Sequence, residues 1–273
     1  MRALAVDTST SMAGIAVVDE QGLLAEYMLN DKKTHSQKLV PMLKEVLDSL
    51  KMSISDMDIL AAVTGPGSFT GLRIGVTTIK SMAYAAQKPT AGIPSLDALA
   101  SAVAAPEGMI VCPMLDARNN QVYTALYRFR SGRMENTSGY MGLHINELVS
   151  RIEDRDAHIL FTGDAVSLHR DFLKIQLGDR CSFAPDFLTQ HMAASAAHLA
   201  LLQLQRGETV GCFDLKPFYL RQSQAEREYG KKQAEEIGED RTGGQPQGTA
   251  KHGTDEYGTA CGPACTGTGA ETT

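Results

Sequence analysis

Apolar residues come in short blocks at the start of the chain. Arg2 to Asp7, Gly14 to Asp19 and Leu23 to Leu29 are each strand-like, and the polar turns Thr8 to Ala13 and Glu20 to Gly22 join them, which predicts a three-stranded meander. The period then changes. From His35 to Lys51 the apolar residues Leu39, Val40, Leu43, Val46, Leu47 and Leu50 recur at the spacing of an amphipathic helix. A strand (Ile59 to Thr64), a glycine-rich turn, a helix (Thr70 to Gln87), a short strand (Thr90 to Ile93) and a helix from Ser95 follow.

The second half repeats this opening. Leu4-Ala5-Val6-Asp7, a polar turn and Gly14-Ile15-Ala16-Val17-Val18 are echoed by Pro113-Met114-Leu115-Asp116, Ala117 to Gln121 and Val122-Tyr123-Thr124-Ala125-Leu126. Ile145 to Ile152 is helical, and His158 to Gly163 mirrors Ile59 to Gly65. Each half therefore reads as βββαβα, and a duplication of this kind predicts an α/β, actin-like (ASKHA, ribonuclease H-like) two-lobed fold with mixed sheets. The expected boundary lies at Pro106 to Gly108, giving lobes at 1–107 and 108–228, with the helix Ala193 to Gln205 closing the second lobe. After Tyr229, Gly, Thr, Gln and charged residues replace all apolar periodicity through Thr273, so 229–273 reads as a disordered tail.

Composition narrows the function classes. The 273 residues carry a net charge of -6, which gives no chain-wide basic field for holding nucleic acid. No apolar run approaches the roughly 20 residues of a membrane span, and Met1 leads straight into a strand pattern, so the expectation is a cytoplasmic protein without a membrane partner. The cysteines (Cys112, Cys181, Cys212, Cys261 and Cys265) are odd in number and scattered, a pattern of reduced thiols. The histidines (His35, His144, His158, His169, His191, His198 and His252) include no pair at i, i+4, so no helical metal site is expected and no metal ligand is assigned.

The most specific feature is Gly65-Pro66-Gly67-Ser68-Phe69-Thr70-Gly71-Leu72-Arg73, set between a strand and a helix. Glycines there let another group approach the backbone closely, and the free amides of a helix start suit a phosphate or carboxylate. The same residues also serve a corner that merely packs tightly, and both readings stay open. In an actin-like frame, Asp7-Thr8-Ser9 and Asp116-Ala117-Arg118 would be the two cleft turns. Neither turn contains the glycine of a phosphate loop, so Asp7 and Asp116 serve equally as turn caps. The candidate nucleotide or cleft set is thus Asp7, Thr8, Ser9, Gly65, Gly67, Ser68, Thr70, Arg73, Asp116 and Arg118. Arg73 is expected to anchor the preceding loop, and Lys80 and Lys88 are expected to be solvated. The helix Thr70 to Gln87 is apolar or small on most of its circumference. It and His35 to Leu50 either present an apolar face to another chain or are both covered by the sheet.

The run Gly65 to Gly75 resembles the bacterial TsaB (YeaZ) family. So do, in order, Ala5-Val6-Asp7-Thr8-Ser9, His35-Ser36 with Leu39 and Pro41, Ile93-Pro94-Ser95-Leu96, Asp116-Ala117-Arg118 with Val122-Tyr123, and Pro217 with Tyr219-Leu220-Arg221. The resemblance covers about 1–228. It implies a non-catalytic, actin-like partner of TsaD in threonylcarbamoyladenosine synthesis at adenosine 37 of tRNA, with no catalytic residue of its own. It implies a TsaD heterodimer, TsaE as a further partner, a homodimer when the chain is alone, and tRNA met only through the complex. No cofactor is required, and weak ATP or ADP with Mg²⁺ is allowed at the subunit junction. Carried onto this chain, the partner interface comprises His35, Leu39, Val40, Leu43, Val46, Leu47, Leu72, Val76, Ile79, Met82 and Ala83. The sequence departs from the family pattern at Asn119, Asn120 and Gln121. The competing readings are an actin-like ATPase or kinase and a glycoprotease-like metallopeptidase.

Overall fold

The computed structural model describes residues 1–31, 35–130, 133–152, 156–188 and 192–221. The tail reading and the thiols Cys261 and Cys265 lie outside them, as do His191 and His252.

The predicted meander is β1 (Arg2–Asp7), β2 (Ala13–Asp19) and β3 (Gly22–Leu29). After helix α1 (His35–Leu50), strand β4 (Ile59–Gly65) joins β1 in parallel. Helix α2 (Phe69–Ala86) leads to β5 (Thr90–Pro94), parallel to β4, and then to helix α3 (Ser95–Ser101). The resulting sheet has the order β3-β2-β1-β4-β5.

Strand alternation decides what covers each face. Leu4 and Val6 of β1, with Ile15, Val17 and Leu60, point to α1 and α2, while Ala3, Ala5, Ala16 and Ala61 point the other way. A fully buried leucine or isoleucine on the first face contributes about 1.5–3 kcal/mol. On the second face the small side chains leave room for a helix to lie close.

The second sheet repeats the topology. Strands β6 (Ile110–Asp116), β7 (Gln121–Thr124) and β10 (Met141–His144) are antiparallel neighbours, and β11 (Ile159–Thr162) and β12 (Cys181–Phe183) continue from β6 in parallel. The order β10-β7-β6-β11-β12 matches the first sheet strand for strand. An added hairpin, β8 (Tyr127–Arg130) with β9 (Arg133–Asn136), pairs with the start of β6. Helices α4 (Ile145–Arg151) and α5 (Val166–Leu177) stand where α1 and α2 stand in the first half.

One element departs from expectation. Helix α6 (Ala193–Arg206) does not close the second lobe. Its stripe Ala193, Ala196, Ala197 and Ala200 fills the alanine-lined face of the first sheet. The segment after it stays there too, through a two-way bridge between Val210 and Thr90. The first lobe is therefore discontinuous in sequence. Its core also takes in Val111, Leu115, Ala125 and Tyr127 from the second sheet.

Candidate functional site

The glycine-rich turn meets a group of its own chain. A Cβ placed on Gly71 would lie 2.0 Å from the Thr8 carbonyl oxygen, one on Gly67 would lie 2.3 Å from the Ser9 carbonyl oxygen, and one on Gly75 would lie 2.4 Å from Thr8 Oγ1. Only glycine permits these approaches. Thr8 Oγ1 donates to the Gly71 carbonyl at 2.7 Å, and Ser68 N donates to the Ser9 carbonyl at 2.6 Å. The Ser68 hydroxyl then caps α2 by accepting from Gly71 N at 3.3 Å. Of the amides expected to face a ligand, those of Ser68, Gly71 and Leu72 are thus already bonded within the chain.

Asp7 lies under this contact. Its Oδ1 accepts from Ser9 N at 2.8 Å and Ser9 Oγ at 2.7 Å. Burial nonetheless dominates and pushes the carboxyl up to about 6, against the lowering by Ser9 and the nearby His35. His35, at the start of α1, is held by a 2.9 Å hydrogen bond between Nε2 and the Thr10 carbonyl.

The second lobe's turn is different. Asp116 is exposed. It accepts from Arg118 N at 2.8 Å, and its own amide donates to Asp164 Oδ1 at 2.9 Å. Arg118, Asn119 and Asn120 take φ of 63°, 53° and 55°, three left-handed residues in a row. Burial raises the Asp164 carboxyl against the lowering by the Asp116 amide, and His169 is lowered chiefly by its own burial. The structure therefore brings Asp7, Thr8, Ser9, Gly67, Ser68 and Arg73's helix into one packed unit and leaves Asp116 and Arg118 in a separate turn.

Gly65, at φ 122°, faces the C-terminal segment: its Cβ would be 2.4 Å from the Phe218 carbonyl. Arg73 lies 4.0 Å over the Phe69 ring and donates to Tyr219 Oη at 3.2 Å. It anchors the C-terminal segment rather than the loop carbonyls. Lys80 and Lys88 are likewise not simply solvated, since they donate to the carbonyls of Phe213 (3.2 Å) and Ser55 (2.8 Å).

The expected interface residues divide in two. Leu39, Leu43, Val46, Val76, Ile79 and Ala83 are buried in the first lobe's own core, because the sheet covers the inner side of both helices, and Leu72 is buried beside Gly65. Most of them support the outer surface from beneath, while Leu43 also reaches it. Outside, Val40 is 61% exposed, and His35, Leu47 and Met82 are half-buried. A groove of about 610 Å³ runs between α1 and α2, floored by Val40, Leu43, Leu47, Met52, Ile54 and Met82. A second concavity of about 540 Å³, lined by Ser36, Phe69, Thr70, Arg73 and Ile74, shares Thr77 and Thr78 with it. Thr70 thus belongs to this outer face and not to the turn.

Sequence spacing missed one buried cluster. The Asp97 carboxylate on α3 accepts from Tyr127 Oη at 2.6 Å and Tyr140 Oη at 2.9 Å, joining the two sheets. No local pattern marks it. Among the described residues no three His, Cys, Asp or Glu side chains gather as metal ligands, and no helix is long and apolar enough to cross a membrane.

Two topologically matched sheets with mixed strand directions define an actin-like duplicated fold. The family model described as "TsaD: tRNA N6-adenosine threonylcarbamoyltransferase" matches residues 22–229. The Bacillus subtilis tRNA threonylcarbamoyladenosine biosynthesis protein TsaB is 33% identical over 229 residues, 84% of this chain and 98% of that one. The Escherichia coli TsaB is 34% identical over 129 residues, 47% of this chain and 55% of that protein. The solved structure of YeaZ from Pseudomonas aeruginosa superposes with a TM-score of 0.69 at 27% identity, over 80% of this chain and 99% of that one. The chain belongs to the TsaB (YeaZ) family.

Proposed function

We propose that this chain is the non-catalytic docking and activating subunit of tRNA N6-threonylcarbamoyladenosine synthesis, and that it holds TsaD through the outer face of α1 and α2. The observation that carries this is the open apolar groove on that face, backed by a sheet that fixes both helices. A rigid apolar trough with a polar rim (Lys44, Asp48, Ser53 and Ser81) suits the burial of a partner's side chains. Relatives that carry the TsaB name lend the reaction context.

TsaE as a third component, tRNA contact through the complex alone, and self-pairing when TsaD is missing belong to the same reading. The cleft turn of the first lobe does not fit a triphosphate, because Ser9 and Thr8 fill the space its glycines open. Weak binding of ATP or ADP with Mg²⁺ at the subunit junction belongs to the same proposal. The ATPase or kinase reading is disfavoured on the same ground.

Calorimetric titration of TsaD with Val40→Arg or Met82→Arg tests the assignment. A charge set into the groove should weaken binding by at least about tenfold. Unchanged affinity, with the fold intact by circular dichroism, would overturn it.

A further inference from the structure

The segment from Val210 to Arg221 follows α6, forms no helix or extended strand, and touches both halves of the molecule. It starts on the edge of β5, where Val210 N donates to the Thr90 carbonyl at 2.8 Å and Thr90 N donates back at 2.9 Å. Phe213 receives Lys80 on its carbonyl and sets its ring edge-on to Tyr84 at 5.6 Å. Leu215 is buried in the core beneath α2. Phe218 N donates to the Thr64 carbonyl at 2.8 Å, at the end of β4, and the Phe218 carbonyl occupies the space that Gly65 leaves open. Tyr219 stacks on Phe69 at 4.7 Å and 27°, and Arg73 holds its hydroxyl.

The same segment then crosses to the second lobe. The Phe218 ring packs edge-on to Tyr140 at 5.2 Å, and Tyr140 Oη is one of the two donors to Asp97. Arg221 donates to Gln121 Oε1 and lies 5.7 Å over the Tyr123 ring. Gln121 opens β7 directly after the three left-handed residues. Twelve residues thus tie β5, β4 and α2 on one side to β7 and the Tyr140 loop on the other.

We propose that Val210–Arg221 is an inter-lobe strap with Arg221 as its positioning residue, and that it carries the state of the second lobe's Asp116–Gln121 turn to the first turn of α2. The proposal rests on the docking reading only in its use: α2 is the helix that reading assigns to the partner, but the strap itself is read from intramolecular contacts. Transmission has a direct physical route. Tyr219 is two residues from Arg221, and it is the side chain on which Phe69 and Arg73 of α2 rest. Loss of the guanidinium from Gln121 and Tyr123 frees the strap's end and removes the constraint that keeps Tyr219 on Phe69. A charge-assisted hydrogen bond and a cation–π contact are together strong enough to alter a local opening equilibrium by about tenfold.

Hydrogen exchange followed by mass spectrometry on the full chain is the test, with Arg221→Ala, Arg221→Lys, Gln121→Ala and the double variant Arg221→Ala/Gln121→Ala. The expected result is about tenfold faster exchange in two separate places, residues 117–124 and the first turn of α2 (69–73). The double variant should be no faster than Arg221→Ala, and Arg221→Lys should recover part of the protection. Faster exchange confined to 117–124 would reduce Arg221 to a local anchor and overturn the proposal. So would unchanged exchange at both places, or a general rise across both sheets. No partner is present in this experiment, so a failed strap and a failed docking face give different signatures: the second appears only in the TsaD titration.

Discussion

The turn after β1 and the turn after β6 occupy the same place in two copies of one topology, yet they have become opposites. In the first copy the carboxylate is buried, and the strand-to-helix loop and the start of α2 are pressed onto the turn through Gly67, Gly71 and Gly75. In the second copy Asp116 is exposed and three non-glycine residues hold positive φ beside it. Duplication preserves the sheet because strand pairing and core alternation constrain it. The turns are free to diverge, and here one has become packing while the other remains surface. The helix pairs differ in a related way. α1 and α2 frame an apolar groove, whereas α5 carries Leu168 and Ile175 at 65% and 79% exposure.

The largest effect should come from filling the first turn. Gly71→Ala puts a methyl group 2.0 Å from the backbone carbonyl of the buried Thr8, so the chain should lose about 3 kcal/mol or more in urea unfolding. Gly139→Ala, where nothing lies within 4 Å of the new methyl, pays only for its backbone angle and should lose about 1 kcal/mol. Equal losses would mean that the close approach to Thr8 is unimportant.

Next is the titration of the buried carboxylate. Asp7 is raised from 3.8 to about 6 by burial, so the folded state binds its proton more tightly than the unfolded state does. The stability it confers is complete below pH 3.8 and is lost as pH rises through about 6. Asp7→Asn should therefore match the parent near pH 3.5 and exceed it by roughly 2–3 kcal/mol at pH 7. Asp116→Asn, in its exposed turn, should change stability at pH 7 by less than about 0.5 kcal/mol. Denaturant unfolding at several pH values reads both variants, and a flat difference for Asp7→Asn would refute the burial argument.

A third test compares the two helix pairs. Leu168→Arg adds a charge to an apolar surface position of the second lobe. It should leave TsaD affinity within about twofold, while Val40→Arg in the first lobe abolishes most of it. The smallest expected effect is in the left-handed turn. Arg118→Gly relieves a side chain at φ 63° and should stabilise by about 0.5–1 kcal/mol, visible as a small rise in Tm.

Much of this comparison was legible in the amino-acid order. The strand blocks, the helix from His35 and the echo of Leu4-Ala5-Val6-Asp7 in Met114-Leu115-Asp116 depend on local alternation, and local alternation is what a sequence displays. The role of the glycine loop was not legible. A glycine reports that something comes close and never what it is, and here it is Thr8 and Ser9. Helix α6 was misplaced because chain order assigned it to the nearer sheet; the matching alanines at Ala3, Ala5 and Ala16 reveal their partner only once both are in register. The interface set mixed inner and outer residues for a similar reason. α2 is apolar nearly all round, so spacing marks Ile79 and Met82 alike, although one is sealed under the sheet and the other lines the groove. Strap contacts such as Tyr219 on Phe69 span most of the chain and leave no periodic trace.

The central claim is that this polypeptide works through its outer helices while its own cleft turn is closed by packing. The most direct measurement is threonylcarbamoyl transfer to tRNA, assayed with the purified chain alone, with TsaD and TsaE, and with both those proteins plus the Val40→Arg variant. The account predicts no modified adenosine from the chain alone, formation in the complete mixture and a severe loss with the variant. Transfer by the purified chain alone, or full activity with Val40→Arg, would contradict it.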